Sequence, residues 1–176
     1  MMRALLVVSL LASHAHADLD NRRTASAGFG VVWAELDGVP RYGMALQPTF
    51  TRTFRRLELQ ADYLVGDLRD PERRAVGGYL HRLGVSGRFQ LERTHLDGEM
   101  ALDVVIEAGV GLQYLQLDNG DVVARNDFAL GVVLRSVMAL QRHPRSFMGI
   151  EATGRLLVSP SGDLAGVVMF GLPFGR

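Results

Sequence analysis

From Ala25 onward, apolar and polar residues alternate along the chain with period two. In Met100–Leu117 one row reads Met100, Leu102, Val104, Ile106, Ala108, Val110, Leu112 and Tyr114. The other reads Ala101, Asp103, Val105, Glu107, Gly109, Gly111, Gln113 and Leu115. Successive side chains of a strand point to opposite faces, so this pattern predicts a strand with one apolar and one mixed face. The same alternation recurs over residues 41–54, 57–66, 77–92, 123–141 and 146–158. Residues 25–36 and 164–174 are apolar on both rows, so their facing stays open. Turn signals separate the runs: Asp37-Gly38-Val39-Pro40, the charged segment Asp67–Arg74, Leu96-Asp97-Gly98-Glu99, Asp118-Asn119-Gly120-Asp121, His143-Pro144 and Ser159-Pro160-Ser161-Gly162. Only the connection from Phe54 to Leu57 lacks Gly or Pro. Eight strands in up-and-down order predict an all-β, closed antiparallel barrel over residues 18–176, with no linker or repeat.

Ahead of the barrel, Met1–Ala17 reads as a secretory signal peptide. Arg3 gives a positive start, Ala4–Ala12 an apolar run, and Ala15-His16-Ala17 a cleavage site before Asp18. The run is shorter than the roughly 20 residues a membrane-spanning helix needs. The chain has 176 residues and a formal net charge of +0, and all 19 of its basic residues are arginine. That balance argues against a nucleic-acid partner, which selects a basic excess. The absence of cysteine excludes disulfides and thiolate chemistry.

The alternation fits two barrels of opposite facing: a soluble lipocalin-like one holding an apolar ligand, and a transmembrane one with apolar rows outside. Three features favour the second. The polar rows mix small residues with near-balanced charges, Glu58, Asp62, Arg82, Arg88, Glu92, Asp103, Glu107, Asp127, Arg135, Glu151 and Arg155, which suits a narrow interior of ion pairs. The apolar rows are long enough, at about 3.3 Å per residue, to cross a band of about 25 Å when tilted. The aromatics also sort by level. Trp33, Tyr42, Tyr63, Tyr79, Tyr114 and Phe128 fall toward the ends of the strands remote from the termini, and Phe50, Phe54, Phe89 and Phe174 toward the other ends. Such girdles suit the two interfaces of a membrane.

On signal peptide, strand count, dyad pattern and aromatic girdles, Ala25–Phe174 resembles the small eight-stranded outer-membrane barrels of Gram-negative bacteria, the OmpA-, OmpX- and OmpW-like proteins. The resemblance implies a monomer in the outer membrane with periplasmic termini, in contact with outer-membrane lipid and lipopolysaccharide. The chain departs from that group in running past Phe174 to Gly175-Arg176 and in its mostly short outer loops.

Candidate chemistry is sparse. A related barrel class deacylates lipid A with a histidine and a serine, but His81 and Ser86 are five positions apart and fall on opposite faces. Asp103 and Glu107 share a face about 13 Å apart, which suits separate ion pairs better than joint acid–base work. Asp118-Asn119-Gly120-Asp121 lacks the spacing of a calcium loop and reads as a hairpin turn. The segment with Asp67, Arg69, Asp70, Glu72, Arg73 and Arg74 is the best binding candidate, its arginines suited to phosphate and its acids to divalent ions. Arg52, Arg55, Arg56, Arg93, Arg142 and Arg145 collect near the turns on the side of the termini. The sequence predicts no cofactor, no metal and no catalysis, but a structural or narrow-permeability role with external loop contacts.

Overall fold

A computed structural model describes residues 22–36, 39–70, 77–96, 100–117, 120–139, 146–160, 162 and 164–175. The segment Met1–Ala17, expected from sequence to be a leader, and three residues of the expected binding segment, Glu72, Arg73 and Arg74, lie outside them. Eight strands form: β1 (Arg23–Leu36), β2 (Val39–Phe54), β3 (Leu57–Arg69), β4 (Gly77–His95), β5 (Met100–Leu117), β6 (Val122–Ala139), β7 (Phe147–Val158) and β8 (Leu164–Gly175). Each pairs antiparallel with the next, and β1 pairs with β8 to close the barrel. Chain order is therefore spatial order. We call the end that carries Arg23 and Gly175 the terminal end, and the opposite one the distal end.

Paired residues traced around the barrel run from Arg23 through Arg52, Leu59, Gly87, Ala108, Leu130, Leu156 and Gly166 to Trp33. The path returns to β1 ten residues from where it began. Ten residues at about 3.3 Å, set against eight spacings of about 4.8 Å, tilt the strands by roughly 40°. Each residue then climbs roughly 2.5 Å along the barrel axis.

Facing is settled on every strand. Outward positions are apolar and exposed, among them Phe29, Leu46, Leu83, Val110, Leu130, Ile150 and Phe170. Inward positions are buried. This resolves the two strands that are apolar on both rows: β1 turns Val32 and Ala34 inward and Phe29 and Val31 outward, and β8 turns Val167 and Met169 inward and Val168 and Phe170 outward. A soluble barrel would require the reverse, since a continuous apolar exterior is not sustained in water.

Strand ends differ from the sequence reading mostly by one to three residues. The largest consequence is that β3 continues through Arg69, so Asp67 and Arg69 belong to a strand and not to a loop. Period two simply persists there, with Leu68 and Asp70 inward and buried. The connection without Gly or Pro is a two-residue hairpin, Arg55-Arg56, in which Arg55 takes φ 57°. A positive φ at the first of two turn residues is the geometry that glycine adopts without steric cost. Arg55→Gly should therefore raise the unfolding free energy by about 0.5–1 kcal/mol, read by urea titration of the vesicle-inserted barrel.

Candidate functional site: the lumen and its rims

The barrel interior has two zones. Toward the distal end, Val32, Leu64, Leu68, Leu80, Leu115 and Leu157 pack into one buried cluster. From the level of Val32 and Leu157 down to the terminal end the interior is also charged, with Arg82 and Asp127 uppermost and Glu58, Arg135 and Asp103 lowest. Six carboxylates (Glu58, Asp62, Asp103, Glu107, Asp127 and Glu151) and four arginines (Arg82, Arg88, Arg135 and Arg155) are buried there. Charges removed from water persist only when paired and hydrogen-bonded, so their partners define the site.

One chain of contacts starts at Asp127 on β6. Arg82 of β4 grips both of its oxygens, Nε at 3.0 and 2.9 Å and Nη2 at 2.8 Å. The third nitrogen, Arg82 Nη1, donates to Asp62 of β3 at 2.9 Å. Asp62 also accepts from Arg155 Nη1 of β7 at 3.1 Å and from Gln47 of β2 at 2.9 Å. Arg155 Nη2 lies 2.7 Å from Glu107 of β5, and Glu107 accepts from Arg88 Nε at 3.0 Å. Glu151 ends the chain, 3.8 Å from Arg88 Nη1. A second group lies nearer the terminal end. Arg135 forks onto Glu58 at 2.6 and 3.2 Å and reaches Asp103 at 3.3 Å.

Most of these contacts cross the lumen. They join β3 to β6, β3 to β7, β4 to β6 and β5 to β7, strands that share no backbone ladder. Two inward glycines make room. A Cβ on Gly111 would stand 2.6 Å from Arg82 Nη2, and one on Gly84 would clash with the same guanidinium. The inward row of β4 and β5 is thus small where the arginine lies flat.

Ten of the eleven residues assigned to this network from sequence are brought together. Glu92 is the exception, being exposed, whereas Arg93 takes a place that the sequence reading gave to a turn. A bulge at Leu91 accounts for both. Gln90 pairs with Val105 and Glu92 with Val104, so the inserted residue reverses the alternation. Arg93 then turns toward Asp103, with bonds of 2.6 and 2.8 Å. Nothing in the local sequence marks this bulge. The apolar distal cluster was also missed, because Leu64, Leu68, Leu80 and Leu157 occupy the rows read as polar.

The outward aromatics need the tilt to be placed. Trp33, Tyr42, Tyr79 and Tyr114 lie near one distal level, and Phe54, Phe89 and Phe174 near a terminal level, with Phe50 slightly above the latter. About ten residues of climb separate the two, roughly 25 Å. Tyr63 and Phe128 do not join the distal girdle as the sequence reading had it. They sit roughly 10 and 7 Å below it, because position counted from a strand end ignores the slant of the barrel. Tyr63 carries a hydroxyl into the apolar band, and His81 answers it: the hydroxyl and His81 Nδ1 are 2.8 Å apart, with the rings stacked at 6.2 Å. Tyr114 meets the other side of His81 edge-on at 6.2 Å. His81 therefore faces outward in an aromatic cluster while Ser86 is buried in the lumen, and no nucleophile–base pair forms. At the distal rim Asp67 and Arg69 form a half-exposed pair at 3.1 Å, and Asp70 is buried.

Two substitutions test these contacts. Asp127→Asn should cost about 3 kcal/mol of unfolding free energy, because it leaves Arg82 short of a buried counter-charge, and adding Arg82→Met should recover part of that loss. Tyr63→Phe should cost about 1 kcal/mol, more than Tyr42→Phe at the girdle, with both read by urea-dependent loss of the folded gel band.

No protein-family model matches the chain, and no curated protein resembles it in sequence. Solved structures do match in shape. Neisserial surface protein A, NspA, superposes with a TM-score of 0.60 at 12% identity, over 86% of this chain and 95% of that one. Ail, the attachment invasion locus protein of Yersinia pestis, crystallised with the heparin analogue sucrose octasulfate, gives 0.53 at 14% identity, over 90% of this chain and 100% of that one. Ail in a second crystal structure gives 0.52 at 15% identity. The chain has the fold of the small eight-stranded outer-membrane barrels.

Proposed function

We propose that this chain is a closed, non-enzymatic barrel of a Gram-negative outer membrane, exported by its leader and inserted with the terminal end toward the periplasm. The observation that carries the reading is the facing: an apolar exterior bounded by two aromatic levels encloses a lumen of paired charges. Lipid solvates such an exterior, and the pairs satisfy the interior. The alternative of a soluble barrel with an apolar ligand at its centre fails on both counts, since the exterior would meet water and the centre is charged.

Between the structural and the permeability roles, the interior favours the structural one. Arg82, Asp103 and Asp127 are each 2% exposed or less, and Leu68, Leu80 and Leu115 close the lumen above them. A water path wide enough for ions would show on those groups. The barrel then serves to hold its distal rim at the cell surface. There Arg69 suits the phosphates of lipopolysaccharide, and Asp67 suits the divalent ions that bridge them. That Ail was crystallised with a sulfated sugar supports anion recognition as a use to which this fold is put.

Cell fractionation followed by gel mobility with and without boiling tests the location, and planar-bilayer recording tests the lumen. A Sarkosyl-insoluble, heat-modifiable band without conductance steps is expected. Soluble periplasmic protein would overturn the membrane reading, and steady single-channel current would overturn the closed lumen.

A further inference from the structure

We infer that the outward face of β3, β4 and β5 carries a binding site for a lipid with a hydroxylated acyl ester, headed by Tyr63 and His81. The Tyr63 hydroxyl and His81 Nδ1 stand 2.8 Å apart. Among the described residues neither ring has a further hydrogen-bond partner. A neutral imidazole has one N–H and one bare nitrogen, and a phenol has one O–H. The contact between them uses one of the two hydrogens. If the phenol donates, His81 Nε2 carries the spare N–H and the phenol oxygen keeps a lone pair. If Nδ1 donates, the phenol O–H is spare and Nε2 is the bare nitrogen. Either tautomer leaves one donor and one acceptor, an imidazole's width apart, on the outside of the barrel. Both side chains are open to the surroundings, Tyr63 being 42% exposed and His81 half-buried.

A donor and an acceptor left bare in a membrane are costly, so they select a lipid group that answers both. An ester carbonyl only accepts. A hydroxyl on the acyl chain close to that carbonyl both donates and accepts, so the hydroxylated ester matches the pair and the plain ester does not. The depth agrees. His81 lies roughly 3 Å below the distal aromatic level by the tilt of the strands, where acyl chains join their headgroups. Tyr114, its partner across the β4–β5 ladder, covers the other side of its ring edge-on. Below them the outward seam of β4 and β5 continues as Leu83 and Leu112, Val85 and Val110, then Gly87 and Ala108. Gly87 and Ala108 line one end of a cleft of about 1040 Å³, walled there by Phe89 and Ile106. Polar atoms for the ester and a recess for the tail thus lie on one seam. The site rests on the orientation proposed above, in which the distal end meets the outer leaflet, and names the lipid chemistry it meets there.

Native mass spectrometry of the folded barrel tests the site, with release from detergent holding equal amounts of two synthetic glucosamine esters. One ester is β-hydroxymyristoyl and the other myristoyl. One retained hydroxylated ester is expected, favoured several-fold over the plain one. Tyr63→Phe with His81→Phe keeps both rings but removes the donor and the acceptor, and should bring the two esters to parity. Tyr42→Phe takes a hydroxyl from the distal level outside the site and should keep the preference. Gly87→Leu fills the recess, where an added Cβ meets only the Ala108 carbonyl, at 3.9 Å. It should lower retention of both esters several-fold, and it carries the test should the Tyr63/His81 double variant fail to fold. Parity on the wild-type chain, a preference undiminished in the double variant, or retention unaffected by Gly87→Leu overturns the site. Failure of the wild-type chain to give a heat-modifiable band in vesicles overturns the barrel reading instead, so the two failures are told apart.

Discussion

Every second residue of a membrane-facing strand must point into the barrel, and in a narrow barrel there is no bulk water for it to meet. The pairing of charges across the lumen is the constraint on which the rest of this structure depends. Each arginine that reaches across satisfies at least one carboxylate on a strand that is not its neighbour, as Arg82 of β4 does with Asp127 of β6, and Arg155 of β7 with Asp62 of β3 and Glu107 of β5. The backbone ladders alone would allow the cylinder to shear and flatten. The cross-lumen bonds fix which residues stand opposite one another. Their net worth in free energy is small compared with an apolar core of equal volume, whereas an unmatched member costs several kcal/mol, on the order of 3–5. Such a network therefore acts on register and uniqueness more than on gross stability. It also dictates small residues beside it: Gly84 and Gly111 leave the space that the Arg82 guanidinium occupies.

Much of this was legible in the sequence because strand periodicity is local. The alternation at Met100–Leu117 shows which residues share a face without any knowledge of the partner strand, and a run of matched charges on one face implies a sequestered one. What escaped depends on relations between strands. The bulge at Leu91 exchanges Glu92 for Arg93 in the lumen, and it exists only as a mismatch between β4 and β5. The level of Tyr63 depends on a tilt that only the full circuit of eight registers determines. Its pairing with His81 links positions on diagonal sites of β3 and β4, since His81 itself stands opposite Val65. The distal leucine cluster escaped for a further reason: an apolar residue on a polar row is read as an irregularity until several rows are seen to place theirs at one height.

The two ends of the barrel are chemically unlike, and the difference follows from what fills them. At the distal end the lumen is closed by leucines, and charge appears on the outward surface as the Asp67–Arg69 pair, where opposite signs compensate. At the terminal end the lumen is closed by Arg135, Glu58 and Asp103, so the interior consumes its own cations. Arg23, Arg52, Arg55 and Arg56 are surplus to that network. Arg55 in particular holds a left-handed backbone conformation where glycine would be easier, a sterically costly way to place one more cation. The two ends thus differ in what their lumens hold, while the strand order is the same up-and-down circuit at both.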